Sequence, residues 1–125
     1  MRKLIDESVD ISNLYLAELF DLSDVEVKDH FNCQNNSLTN LIGAPHTVGG
    51  DFRCDRNNLT SLIGAPKTVG GNFYCNNNPL TSLEGIPKTI GGNFFIPTEL
   101  MSMFTACQIR NLSNIIGNIT YCIFT

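Results

Sequence analysis

The feature that most constrains this chain is its repetition. Phe31, Phe52, Phe73 and Phe94 are spaced 21 residues apart, and so are Cys33, Cys54 and Cys75; Asn36, Asn57 and Asn78; and Pro45, Pro66 and Pro87. Glycine pairs begin at Gly49, Gly70 and Gly91 with the same period. Self-similarity at a fixed short period means that one structural unit is stacked on itself, each copy burying a face that it cannot bury alone. The unit reads F-x-C-x-x-N-x-L-T-S-L-x-G-x-P-K-T-V-G-G in its clearest copies.

The physical role of each position follows from residue type. Phe52-Arg53-Cys54 alternates apolar and polar, the pattern of a half-buried strand, which predicts Phe52 and Cys54 inside and Asp51, Arg53 and Asp55 outside. Stacked strands would form a parallel sheet with neighbours roughly 4.8 Å apart. Asn57 follows where the chain leaves the sheet, and its amide can bond backbone groups there, so Asn36, Asn57 and Asn78 are predicted to form an internal ladder. Leu59 and Leu62 turn inward. The Gly-x-Pro segment excludes regular helix, which predicts an irregular or 3₁₀-like return path, and the Gly-Gly pair permits the tight corner before the next strand.

Phe52-x-Cys54-x-x-Asn57-x-Leu59-x-x-Leu62 fits the leucine-rich repeat pattern with Phe and Cys in two leucine slots. The chain resembles a short leucine-rich repeat protein of the kind encoded by bacteria and their tailed phages, closely over residues 31–96 and loosely over residues 9–30. The resemblance implies an α/β solenoid: a short parallel sheet on a concave face, an irregular convex side and a C-terminal capping helix. It implies protein binding and leaves the partner open, because such scaffolds serve many partners.

The ends of the array depart from the consensus. Residues 1–8 read as a frayed start. Val9, Ile11, Leu16 and Leu19 align with Phe31, Cys33, Leu38 and Leu41 at an offset of 22, with Leu14 in the ladder slot; residues 9–30 are therefore predicted to be a degenerate N-terminal cap repeat. After Asn93-Phe94-Phe95-Ile96, Pro97 breaks the pattern. Thr98 is placed to cap a helix over residues 99–110, with Leu100, Met103, Phe104 and Cys107 on one face, closing the C-terminal end of the core. Residues 97–125 are read as the C-terminal cap of a single domain spanning residues 1–125. The apolar stretch from Ile115 to Phe124 either completes that cap or forms a contact between copies, an exposed strand being prone to pairing.

Composition narrows the function classes. Net charge is −4, with eight acids and three bases in residues 1–29 but four acids and five bases in residues 30–125. A nearly neutral repeat body disfavours nucleic acid as a partner. No apolar run is long enough to span a bilayer, and MRKLIDESVD lacks the core of a signal peptide, so the expected compartment is the cytoplasm, that of the bacterial host if the gene belongs to a phage. The five cysteines form no C-x₂₋₄-C pair, and the three in the repeats are predicted to be small buried residues rather than metal ligands. His30 and His46 have no nucleophile beside them by this pattern, and the glycine pairs lack the Lys-Ser of a phosphate loop. No enzyme, cofactor, metal or small-molecule substrate is expected.

Binding remains. The outward strand positions include Asn32, Asp51, Arg53, Asp55, Tyr74, Asn76 and Phe95, and Arg53, Tyr74 and Phe95 fall in one column of successive strands. Arg and Tyr are enriched where binding energy concentrates. The sequence therefore predicts a non-catalytic module that binds and modulates or inhibits another intracellular protein through these residues, of a host or its defences if phage-encoded. The alternative is a self-assembling structural protein, a homodimer through residues 113–125.

Overall fold

The computed structural model describes residues 3–122 as a β-solenoid of six turns. Each turn contributes one strand to each of two parallel sheets. The first sheet contains β1 (Lys3–Ile5), β3 (Val25–Val27), β5 (Thr47–Val48), β7 (Thr68–Val69), β9 (Thr89–Ile90) and β11 (Asn114–Ile115) in spatial order. The second contains β2 (Val9–Asp10), β4 (Phe31–Asn32), β6 (Phe52–Arg53), β8 (Phe73–Tyr74), β10 (Phe94–Pro97) and β12 (Ile119–Cys122), also in sequence order along the axis.

The first sheet is a departure from expectation. The return path was predicted to be irregular; instead the Thr-Val and Thr-Ile pairs stack in register, Thr47 on Thr68 on Thr89 and Val48 on Val69 on Ile90. The reason is local. β-Branched residues favour extended backbone, and a two-residue alternation with Val inward and Thr outward is enough once neighbours stand directly above and below. Lys3–Ile5 belongs to this sheet too, paired with Val25–Val27, so the segment read as a frayed start is the beginning of the first turn.

The interior is built from columns. Phe31, Phe52 and Phe73 stack with ring centroids 5.6 and 5.3 Å apart, and Phe94 meets Phe73 edge-on at 5.6 Å. Cys33, Cys54 and Cys75, Leu38 and Leu59, and Leu41 and Leu62 are buried in parallel columns, with Leu80 and Leu83 continuing the last two. At the corners the backbones of successive turns nearly touch: a Cβ on Gly70 would stand 2.2 Å from the carbonyl oxygen of Gly49, and one on Gly91 2.2 Å from that of Gly70. Only glycine fits there.

The asparagine ladder forms as the spacing predicts. Asn57 Nδ2 donates to the carbonyls of Cys33 and Cys54, at 3.1 and 3.0 Å, while its Oδ1 accepts the Leu38 N–H. Asn78 repeats this one turn on, donating to Cys54 and Cys75 and accepting from Asn57 and Leu59. Asn36 reaches back to the first turn, accepting the N–H groups of Leu14 and Leu16. Each amide thus ties two turns together at the point where strand hydrogen bonding ends.

The C-terminal region differs from the reading in one instructive way. The single helix expected over residues 99–110 is two pieces: a 3₁₀ segment, Thr98–Ser102, and α1, Ala106–Leu112. Thr105, not Thr98, caps the α-helix, in a reciprocal capping box with Gln108. Of the predicted apolar face, Leu100 is buried and Phe104 packs partly on the core, but Met103 and Cys107 are exposed. Nor does the helix close the end. It lies in the connection before the last turn, which is why Phe94 and Ile119 pair across 25 residues instead of 21. Ser113–Cys122 then completes a sixth turn, with the Ser113 hydroxyl donating to the Pro87 carbonyl. The remainder of the apolar C-terminal stretch, residues 123–125, lies outside the described residues.

Two stability outcomes follow. Asn57→Ala orphans buried carbonyls and a buried N–H, and should cost about 3 kcal/mol or more, read as a fall in denaturant midpoint at unchanged slope. Arg56 sits at φ 58° in the column otherwise held by Asn35 and Asn77. Arg56→Asn, which tolerates that left-handed backbone, should raise stability by roughly 0.5–1 kcal/mol in the same titration.

Candidate binding face

The outer column of the second sheet runs Asp10, Asn32, Arg53, Tyr74, Phe95, Thr120, each in register with the next. Its centre is one continuous stack. The Arg53 guanidinium carbon lies 4.7 Å from the Tyr74 ring centroid, and Tyr74 and Phe95 stack at 4.5 Å with 1° between their planes. Strand spacing alone sets this distance: identical positions on adjacent parallel strands are held at the thickness of stacked rings. Arg53 and Phe95 approach Tyr74 from opposite neighbouring strands, so both faces of the tyrosine ring are covered. At its centre the column therefore presents the Tyr74 ring edge and a guanidinium rim, not an open tyrosine face.

Asp55 is not the outward residue that alternation predicts. It is 1 % exposed, because the strand ends after Arg53 and the chain bends inward toward the ladder. Arg53 Nε and Nη2 donate to its two oxygens at 3.1 and 2.9 Å. That bond to Asp55 is the main cause holding the Arg53 pKa above its ordinary value. Asp55 is thus the anchor that fixes Arg53 over Tyr74, and it does not itself face a partner.

Asp51 is likewise drawn into structure. Its Oδ1 accepts the Asn72 N–H at 2.8 Å; Asn72 Oδ1 accepts from Asn93, and Asn93 Oδ1 accepts from Asn118, both at 2.8 Å. Ser8 Oγ and His30 Nδ1 play the same part in the first turns. The residue before each strand of this sheet is a link in a second ladder, which requires an acceptor one atom or one ring from Cβ. Sequence reasoning placed Asp51 among the outward positions, though the restriction of its column to Ser, His, Asp and Asn was a legible signal. Of the other expected residues, Asn32 is half-buried and accepts the Gln34 N–H, while Asn76 is half-buried with Oδ1 turned inside and unpartnered.

An apolar row was missed. Phe20, Ile42 and Ile63 are 61, 62 and 41 % exposed and occupy equivalent positions just before the Gly-Ala-Pro corner or its counterpart. Leu19, Leu41 and Leu62 beside them are buried, so the leucine signal masked neighbours that point the other way.

The repeat thiols have little chemistry. Burial pushes the Cys33, Cys54 and Cys75 pKa values upward, with the nearby Asp55 charge adding to the shift in each, and the Cys33 and Cys54 Sγ atoms face the Arg53 and Tyr74 carbonyls. Among the described residues no group of three His, Cys, Asp or Glu side chains is arranged to hold a metal ion, and no helix is long and apolar enough to cross a membrane. Comparison with protein-family models, curated proteins and solved structures finds no match.

The pairing of Arg53 with a buried carboxylate has a measurable consequence. Arg53→Ala leaves Asp55 unpaired and should cost roughly 1–3 kcal/mol, a range held down because the guanidinium keeps water contact. Adding Asp55→Asn should recover part of that loss. A thermal-denaturation double-mutant cycle reads the coupling, and additive effects would show that the two side chains act independently.

Proposed function

We propose that this chain is a non-catalytic, leucine-rich-repeat-like module that binds another protein through the Arg53–Tyr74–Phe95 column. The observation that carries the reading is the stack itself: three large side chains, Arg and Tyr among them being types in which binding energy concentrates, packed on one another and anchored through Asp55. Binding normally costs the ordering of such side chains, and here that ordering is already complete. Polar residues flank the row at Asn32 and Asn76, giving the apolar centre a rim that can bond a partner's backbone.

The chemistry of the row favours polypeptide over nucleic acid. Base stacking requires an open ring face, and both faces of Tyr74 are taken. Ring edges and a guanidinium suit aliphatic side chains and carboxylates. A non-catalytic module of this kind acts by occupying its partner's surface, so modulation or inhibition is the outcome, and a bacterial protein is the natural partner if the gene is carried by a phage.

The experiment is affinity capture with variants that spare the buried pair. Tyr74→Ser with Phe95→Ser leaves Arg53 and Asp55 in place and should abolish capture of a partner that the unaltered protein retains, with an unchanged circular dichroism spectrum. Retained capture by that folded variant would move the binding site to another face, the Phe20–Ile42–Ile63 row being next to test.

A further inference from the structure

The surroundings of the apolar row Phe20, Ile42 and Ile63 change sign along the solenoid axis. All three side chains are exposed, one in each of the first three turns, and in the fourth turn Glu84 takes the slot and ends the row. Beside the row, the first turn carries the exposed carboxylates of Glu18 and Asp21, which with Asn40 and Ile42 line a hollow. Asp21 is held in place by Ser23, whose N–H and hydroxyl donate to its Oδ1 at 3.1 and 2.6 Å. Ser23 lines both that hollow and the adjoining groove of the Gly-x-Pro corners, which Lys67 and Lys88 line from the third and fourth turns. Row and groove are therefore neighbouring parts of one face. Among the described residues, none of Glu18, Asp21, Lys67 and Lys88 has an ion-pair partner within the chain.

We propose that this face docks the same face of a second copy of this chain, with the two rows antiparallel. The occupant follows from charge and symmetry. A two-fold axis crossing the row at Ile42 brings Ile42 against its own copy, and Phe20 of each chain against Ile63 of the other. The same operation keeps each flank of the row on its own side while reversing the order of the turns. The acidic flank of the first turn then meets the lysine flank of the third, so Asp21 of each copy faces Lys67 of the other, twice per dimer. The second turn meets itself, and it has Asn40 and His46 beside the row but no lysine or carboxylate there. Rows laid parallel would bring the two first turns together and set carboxylate against carboxylate.

Spacing favours a second copy over a foreign segment. The row repeats at the strand interval of roughly 4.8 Å. An identical row matches that interval without adjustment, whereas the pitch of a helix, about 5.4 Å, drifts out of step with it. Such a contact also closes: once the two faces meet, neither remains to recruit a third copy. Three apolar side chains per chain make a small contact beside the roughly 800 Å² per partner of a standard interface, so the dimer should exchange reversibly with monomer. No residue of the Arg53–Tyr74–Phe95 column takes part, so this proposal and the binding role of that column fail independently.

The test is solution mass by sedimentation or light scattering across a concentration series, with a reductant present. The unaltered protein should pass reversibly from monomer towards dimer, its average mass rising about twofold and no further, as mass action on a closed pair requires. Ile42→Asp sets like charges against each other on the two-fold axis and, at a side chain already exposed, should give a folded monomer. Asp21→Lys and Lys67→Glu should each stay monomeric over the range in which the unaltered protein dimerises. Their equimolar mixture should dimerise again, because each copy supplies the charge that the other lacks. An unaltered protein that stays monomeric overturns the proposal and leaves the row to a foreign segment. A mass that climbs past the dimer overturns it too, as does association that Ile42→Asp leaves unchanged or a mixture that stays monomeric. Should Ile42→Asp or Asp21→Lys lose the native circular dichroism spectrum, Lys67→Glu alone decides: a folded monomer supports the pairing, and undiminished dimerisation overturns it.

Discussion

Everything in this molecule depends on one turn's backbone lying directly on the next. Strands of two to four residues are far too short to be stable as isolated pairs, yet here six of them make each sheet. They persist because the stacking continues through the corners. The glycine backbones hydrogen-bond turn to turn, and the Asn36, Asn57 and Asn78 amides bridge adjacent turns where the strands stop. The short sheets are the parts of one continuous axial hydrogen-bond array that meet the definition of a strand.

That constraint explains the surface as well as the core. Identical positions are brought to strand spacing, so whatever the sequence places in a column is forced into contact. Inside, this yields the phenylalanine and cysteine columns. Outside, it turns Arg53, Tyr74 and Phe95 into a single rigid object and makes Asp51, Asn72 and Asn93 into a ladder. The same rule sets a problem at each end of the described array, and after the fifth turn a longer connection carries the helix that places Arg110 against the Ile115 and Gly117 carbonyls.

Much of the fold was legible because the period is regular. Inward Phe and Cys, the asparagine ladder and the tight glycine corners could be read from spacing and residue type. The sheet of Thr-Val and Thr-Ile pairs was not, since such pairs are too short to register as strands until their neighbours are in place. Asp55 was misplaced for a related reason: alternation describes a strand, and the strand ends at Arg53, two residues short of it. The helix was anticipated in kind but not in position. Thr98 and Thr105 both resemble caps, and only Thr105 has a glutamine three residues on to complete the box.

By itself the sequence determined a stacked repeat of 21 residues, the identity of its core columns and the adjacency of Arg53, Tyr74 and Phe95, because a fixed period converts positions along the chain into positions along an axis. Tertiary structure alone decided which of the outward-reading polar residues are taken up by the fold. Asp51 and Asp55 look alike as exposed acids in sequence, and both are held by bonds to groups one turn or two residues away. It also decided how the array ends, since Arg110 meets the Ile115 and Gly117 carbonyls only after the chain has folded back across its own last turn. No local pattern encodes that meeting; it depends on the length of the final connection and the direction of one short helix.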